Sequence, residues 1–128
     1  MSIMTAKAKK ITLNIITILL MVAFIGAGFG KLMRTDMMVE SFDRYDIPIG
    51  LMLLLGFLEL SAALGLLIPK VRLFAATGLS IIMAGAIVVH VYHNEMDQLV
   101  GPVLLFVLLI AFITMRKQLL KTTKTKKK

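Results

Sequence analysis

The chain has 128 residues, 59% of them hydrophobic and 17% charged, a mean hydropathy of +0.91 and a formal net charge of +8. A soluble domain of this length is closer to half apolar and about a quarter charged, so the composition points to one integral membrane domain over residues 1–128 and leaves no room for a soluble catalytic domain. Cysteine is absent, which excludes disulfides, thiol relays and Cys-ligated zinc or iron–sulfur clusters held by this chain. The positive charge sits in tails beside apolar runs, with no aromatics among the tail lysines. That placement suits anionic lipid and argues against nucleic acid as a partner.

Span one is expected over about residues 11–32. Lys7, Lys9 and Lys10 precede it like the n-region of a signal peptide, but the apolar run exceeds the usual h-region of roughly 7–15 residues, so it reads as a span. Gly26 and Gly30 have small-xxx-small spacing, which allows helices to approach closely or to dimerise. Lys31 ends this span and is expected to snorkel to the interface, the alternative being an inward bend toward Glu59. Between spans one and two, Met38, Phe42 and Tyr45 recur at helical spacing, and Thr35 or Asp36 can cap a short amphipathic helix that covers the mouth of the bundle.

Span two is expected over 48–68, with Pro48 at its start and Pro69 at its end. Span three is expected over 72–92. It carries His90 near its end, with His93 three residues on. Glu95 and Asp97 could complete a metal set, but the pair lacks a strict motif, so we expect a polar interfacial His90 bonded to Tyr92 or Asn94 and no metal. Span four is expected over 98–116, mostly large aliphatics and the most exposed to lipid, followed by a basic cytoplasmic tail at 117–128. The closing Lys-Thr-Lys-Lys-Lys resembles a dilysine-type retrieval signal, a match that means little in so lysine-rich a tail. The fold class is therefore all-α: a membrane four-helix bundle with spans one to three as its tighter core.

Glu59 is the only acidic side chain between Ile47 and Pro69. A carboxylate at membrane depth costs roughly 2.5–3.5 kcal/mol on insertion scales, so it belongs in the bundle interior or a wet cavity. It shares a helix face with Met52, Gly56, Ala62, Ala63 and Leu66, whose small members leave room for a helix, water or ligand. A structural role would pair it with Asn14, Thr17, Ser61 or Ser80; a functional one would bind a proton or ligand. Lys31 lies roughly 10–15 Å higher along the membrane normal by helical rise. Lys31, Glu59 and His90 are expected to line one polar cavity narrowing toward mid-membrane.

Several segments together resemble the DoxX-like family of small four-helix membrane proteins. They are Ala23-Phe24 through Gly28 with Lys31 and Leu32; Phe42 through Tyr45-Asp46-Ile47-Pro48; Gly56-Phe57-Leu58-Glu59-Leu60 with Ala63 to Pro69; Met83 to Ala86 with His90; and Pro102. Asp46 stands where that pattern places glycine. The resemblance implies the fold, and Glu59, Lys31 and His90 as motif positions. Named relatives are membrane subunits tied to quinone-linked sulfur oxidation or other redox assemblies, so it implies redox-complex subunits as partners and a quinone as cofactor. Nothing in composition or spacing shows quinone binding.

Three functions are compatible with these residues. The first is an accessory or anchoring subunit of a membrane redox complex. The second is a small proton-coupled transporter using Glu59, working as a homo-oligomer. Small multidrug transporters, however, carry their membrane glutamate in the first helix with an aromatic cage, and this chain has no Trp. The third is an enzyme acting on a lipid-soluble substrate. Twelve of the fifteen Lys and Arg residues fall on one side of four spans, which predicts that both termini are cytoplasmic; the DoxX-like resemblance implies a bacterial cytoplasmic membrane. Single cysteines in the tails should resist an impermeant thiol reagent in intact cells, and cysteines at Ser41 or Asn94 should react; labelled tails would reverse the topology.

Overall fold

The computed structural model describes residues 5–127, with side chains through Thr122, so the end of the basic tail lies outside the described side chains. Five α-helices follow in order: α1 Ala6–Leu32, α2 Asp36–Arg44, α3 Ile49–Gly65, α4 Arg72–Tyr92 and α5 Val100–Lys127, with a 3₁₀ turn Met96–Gln98 before α5. α1, α4 and the segment containing α5 are long and apolar enough to cross a membrane. α3, at 17 residues, is shorter and at the low end of spanning length.

The helices outrun the uncharged runs at both tails. α1 starts at Ala6, where the Thr5 hydroxyl accepts from the Ala8 N–H at 3.1 Å, and α5 continues through the lysines to Lys127. Charge limits the apolar slab, whereas helix propensity does not fall at lysine. α2 presents Met38, Val39 and Phe42 inward, with Met37 exposed. Thr35 occupies its N-cap position without a side-chain cap bond, so neither proposed capping residue acts as a conventional cap.

Three helices on one end of the molecule finish with the same reversal. Arg34, Asp46 and Asn94 take φ of 54°, 56° and 56° just past α1, α2 and α4. The next N–H then bonds back: Thr35 to Gly30, Ile47 to Phe42 and Glu95 to His90, at 3.1, 2.9 and 2.9 Å. This is the Schellman arrangement. It explains Asp46: the position needs the left-handed region, which glycine enters freely and Asp or Asn tolerate better than most residues.

α1 packs on α3 and α5, and α4 packs on α3 and α5, so the four long helices form a ring with α1 and α4 diagonal. The expected tight core of spans one, two and three is thus replaced by an α1–α3 pair facing an α4–α5 pair. Leu20, Phe24, Ala63, Leu66, Ala76, Leu79, Leu109 and Phe112 fill the centre. The span in α5 is the least enclosed, with 11% of its apolar window buried against 33% for α1 and 28% for α4.

Gly28 and Gly56 set the α1–α3 crossing. A Cβ on Gly28 would lie 2.7 Å from the Gly56 carbonyl oxygen and 2.9 Å from the Leu60 nitrogen; one on Gly56 would lie 2.8 Å from the Lys31 Cβ. Gly26, singled out by spacing, faces open space, and a Cβ on Gly30 would make only ordinary contacts, with the flexible Met38 and the Thr35 hydroxyl. Gly28→Ala and Gly56→Ala should each lower stability by about 1–3 kcal/mol, since backbone must shift. Gly26→Ala and Gly78→Ala, both at open positions, should be neutral or slightly stabilising. Thermal unfolding in detergent micelles checks the contrast; equal effects at all four would refute the crossing.

Candidate functional site

The glycine crossing brings the Lys31 side chain down onto α3. The ends of α1 and α3 are offset: Lys31 is level with Gly56, seven residues into α3, about 10 Å below its start. Only one turn separates Gly56 from Glu59, so the vertical gap expected from aligned helix ends disappears. Lys31 does not snorkel. Its Nζ donates to Glu59 Oε2 at 3.1 Å, with the side chains 11% and 1% exposed. Lys31 also lies in the last turn of α1, where the helix dipole favours a cation.

The neutral partners considered for Glu59 are engaged elsewhere. Thr17 and Ser80 donate to the carbonyls four residues back, Leu13 at 2.7 Å and Ala76 at 2.8 Å. Asn14 and Ser61 are exposed. A carboxylate among apolar helices therefore finds its counter-charge in Lys31, and that pairing offsets part of the burial penalty of both.

His90 sits in a second polar group at the end of the bundle. The Tyr45 O–H donates to Glu95 Oε2 at 2.5 Å. His90 Nδ1 lies 3.2 Å from the Tyr45 oxygen and 3.3 Å from Glu95 Oε2. With the tyrosine proton committed to the carboxylate, His90 Nδ1 must carry the hydrogen in either contact, which sets its tautomer. Burial and the carboxylate raise the Tyr45 phenol above its usual range, and the phenol O–H holds the Glu95 carboxyl below its own. Arg44 joins from the surface at 3.5 Å from Glu95 Oε1.

His90 thus bonds Tyr45 and Glu95, not the expected Tyr92 or Asn94. His93 turns its Nδ1 to the Val89 carbonyl at 2.9 Å and meets the Tyr45 ring at a tilt and the Tyr92 ring edge-on. Among the described residues no three His, Asp or Glu side chains converge as metal ligands. Of the three site residues read from the sequence, the fold joins Lys31 and Glu59 directly. Among the described residues no hydrogen bond or ion pair links either to His90. Tyr45 was missed as a site residue, and Glu95 was read beside His90 only as a possible metal ligand. The signal available was a tyrosine and an acid in the two connections that a four-span topology puts on the same side.

A helical bundle with a lysine–glutamate pair buried between its first and third helices is the class of membrane protein defined here. Residues 15–112 match the DoxX-like family, and the chain belongs to it. No curated protein and no solved structure matches the chain.

Removing one partner of a buried ion pair leaves the other uncompensated, a loss of about 3–5 kcal/mol in favourable cases. Lys31→Met should therefore destabilise strongly, while Lys31→Met combined with Glu59→Leu should recover most of the loss. Unfolding of the four members of this cycle in micelles measures the coupling; single losses that simply add would mean that the two residues do not interact.

Proposed function

We propose that the protein is an accessory or anchoring subunit of a membrane-bound redox assembly, and that Lys31 and Glu59 receive the polar head of a lipid-soluble carbonyl compound of the quinone class. The buried, paired ammonium carries this reading. Lys31 spends one of its three N–H donors on Glu59 and has others to offer a carbonyl oxygen. Its side chain is also the more exposed of the two, so an arriving head group meets the donor first. A quinone, when bound, would supply the electron-accepting carbonyls. Glu59 would hold the ammonium in place, and His90, Tyr45 and Glu95 would offer exchangeable protons at the end of the bundle.

A proton-coupled transporter is less well supported, because its membrane carboxylate must be free to exchange proton and cargo. Here Glu59 is 1% exposed and neutralised by a cation from a neighbouring helix.

Isolation from native membranes in a mild, non-denaturing detergent tests the proposal. A redox-protein partner in fixed stoichiometry and a solvent-extractable quinone are the expected result. Lys31→Met should lower quinone occupancy about tenfold, matching the loss of a charge-assisted hydrogen bond worth about 1.5–3 kcal/mol. A partner without quinone would retain the subunit and remove the ligand. A lone chain or homodimer without quinone would overturn both.

A further inference from the structure

The opposite end of the bundle carries a feature unrelated to the Lys31–Glu59 pair. The start of α1, the loop between α3 and α4 and the later turns of α5 converge around a cavity of about 390 Å³. That is within the range of roughly 300–1,000 Å³ usual for small-molecule sites. Three cations line it, Lys10, Arg72 and Arg116, with Asn14 beside them and Leu73 and Leu119 as apolar wall.

No acidic side chain lines the cavity among the described residues. The chain's seven Asp and Glu residues lie elsewhere, six of them in the two connections at the other end and one at Glu59. The Nε groups of Arg72 and Arg116 are buried and have no hydrogen-bond partner. Such a donor normally finds an acceptor, because leaving it unsatisfied costs about 1–3 kcal/mol. Arg72 and Arg116 also oppose one another electrostatically. Arg72 is moreover the first residue of α4, at the positive end of that helix's dipole, where an anion is favoured and an arginine is not. Arg72 Nη2 donates to the Leu67 carbonyl at 3.3 Å. The like charges and the adverse dipole are relieved by a single anion in the cavity, and a small rotation of either guanidinium would also bring its unpartnered Nε to it.

We propose that this cavity is a binding site for a phosphate group, held by the guanidinium groups of Arg72 and Arg116 with Lys10, and carried by an anionic phospholipid or by a soluble phosphate. Arginine suits this chemistry because its planar fork matches phosphate oxygens. Leu73 and Leu119 give an acyl chain an apolar path away from the head group.

The test uses the full chain, delipidated in neutral detergent, with melting temperature and native mass spectrometry as readouts. Phosphatidylglycerol or cardiolipin should raise the melting temperature by several degrees and survive as a bound adduct, and net-neutral phosphatidylcholine should do neither. Inorganic phosphate giving the full shift without a lipid adduct would assign the site to the soluble source. The double variant R72Q/R116Q should weaken the response at least tenfold. The control K7Q/K117Q removes two exposed charges that do not line the cavity and should leave the response intact. Wild-type protein indifferent to both phosphate sources would overturn the proposal. So would equal losses in the two double variants, which would indicate general attraction to a basic surface.

Discussion

The contact of α1 with α3 at Gly28 and Gly56 controls the arrangement of everything near the polar site. In lipid, apolar side chains gain little by leaving their surroundings for one another, so helices associate through close packing and polar contacts. Two glycines facing each other permit that packing at backbone distance, with the Gly28 position only 2.7 Å from a neighbouring carbonyl oxygen when a Cβ is added. The crossing also sets the relative height of the two helices. That height turns a lysine at the end of α1 from an interfacial residue into the counter-charge of Glu59. A shift of one turn would part them and leave each charge to meet the membrane alone.

The molecule is also divided by charge along its length. At one end, three Schellman reversals gather the acidic connections. The reversal after α4 folds Glu95 back over His90, and the one after α2 brings the chain from Tyr45 into α3. Backbone geometry there does what a longer loop would otherwise have to do, placing a tyrosine, a histidine and a carboxylate within hydrogen-bond reach. At the other end, Lys10, Arg72 and Arg116 meet without an acid among them. The bundle therefore has a self-neutralised polar interior, a proton-rich network at one mouth and a cationic cavity at the other.

Membership of the DoxX-like family gives the protein a class, and the chemistry of its sites is read from its own residues. The Lys31–Glu59 pair offers donors in a place shielded from water. The proposed ligand, a neutral carbonyl-bearing molecule, is compatible with that setting, since an incoming charge would unbalance a pair that already sums to zero. The absence of cysteine from the whole chain excludes thiol relays and cysteine-ligated clusters held by it.

The class of fold was legible in the sequence because lipid imposes a simple rule: apolar runs of spanning length become helices, and charges mark their limits. The short helix between the first two spans was legible for a similar reason, from Met38, Phe42 and Tyr45 at helical spacing. Glu59 announced itself as a lone acid in an apolar run, and its burial follows from that alone. Its partner did not. Periodicity gives the rise along one helix but not the offset between two, so Lys31 read as a residue one span-end too high. Likewise Gly26 and Gly28 look equivalent in sequence, and only the rotation of α1 against α3 makes Gly28 the contact and leaves Gly26 open. The convergence of Tyr45 with His90, and of Lys10 with Arg72 and Arg116, joins residues 45 to 106 positions apart. Sequence determined which residues were polar and which runs were apolar enough to become helices; the ring order and axial offset of the helices, properties of the packed whole, decided which of the polar residues met.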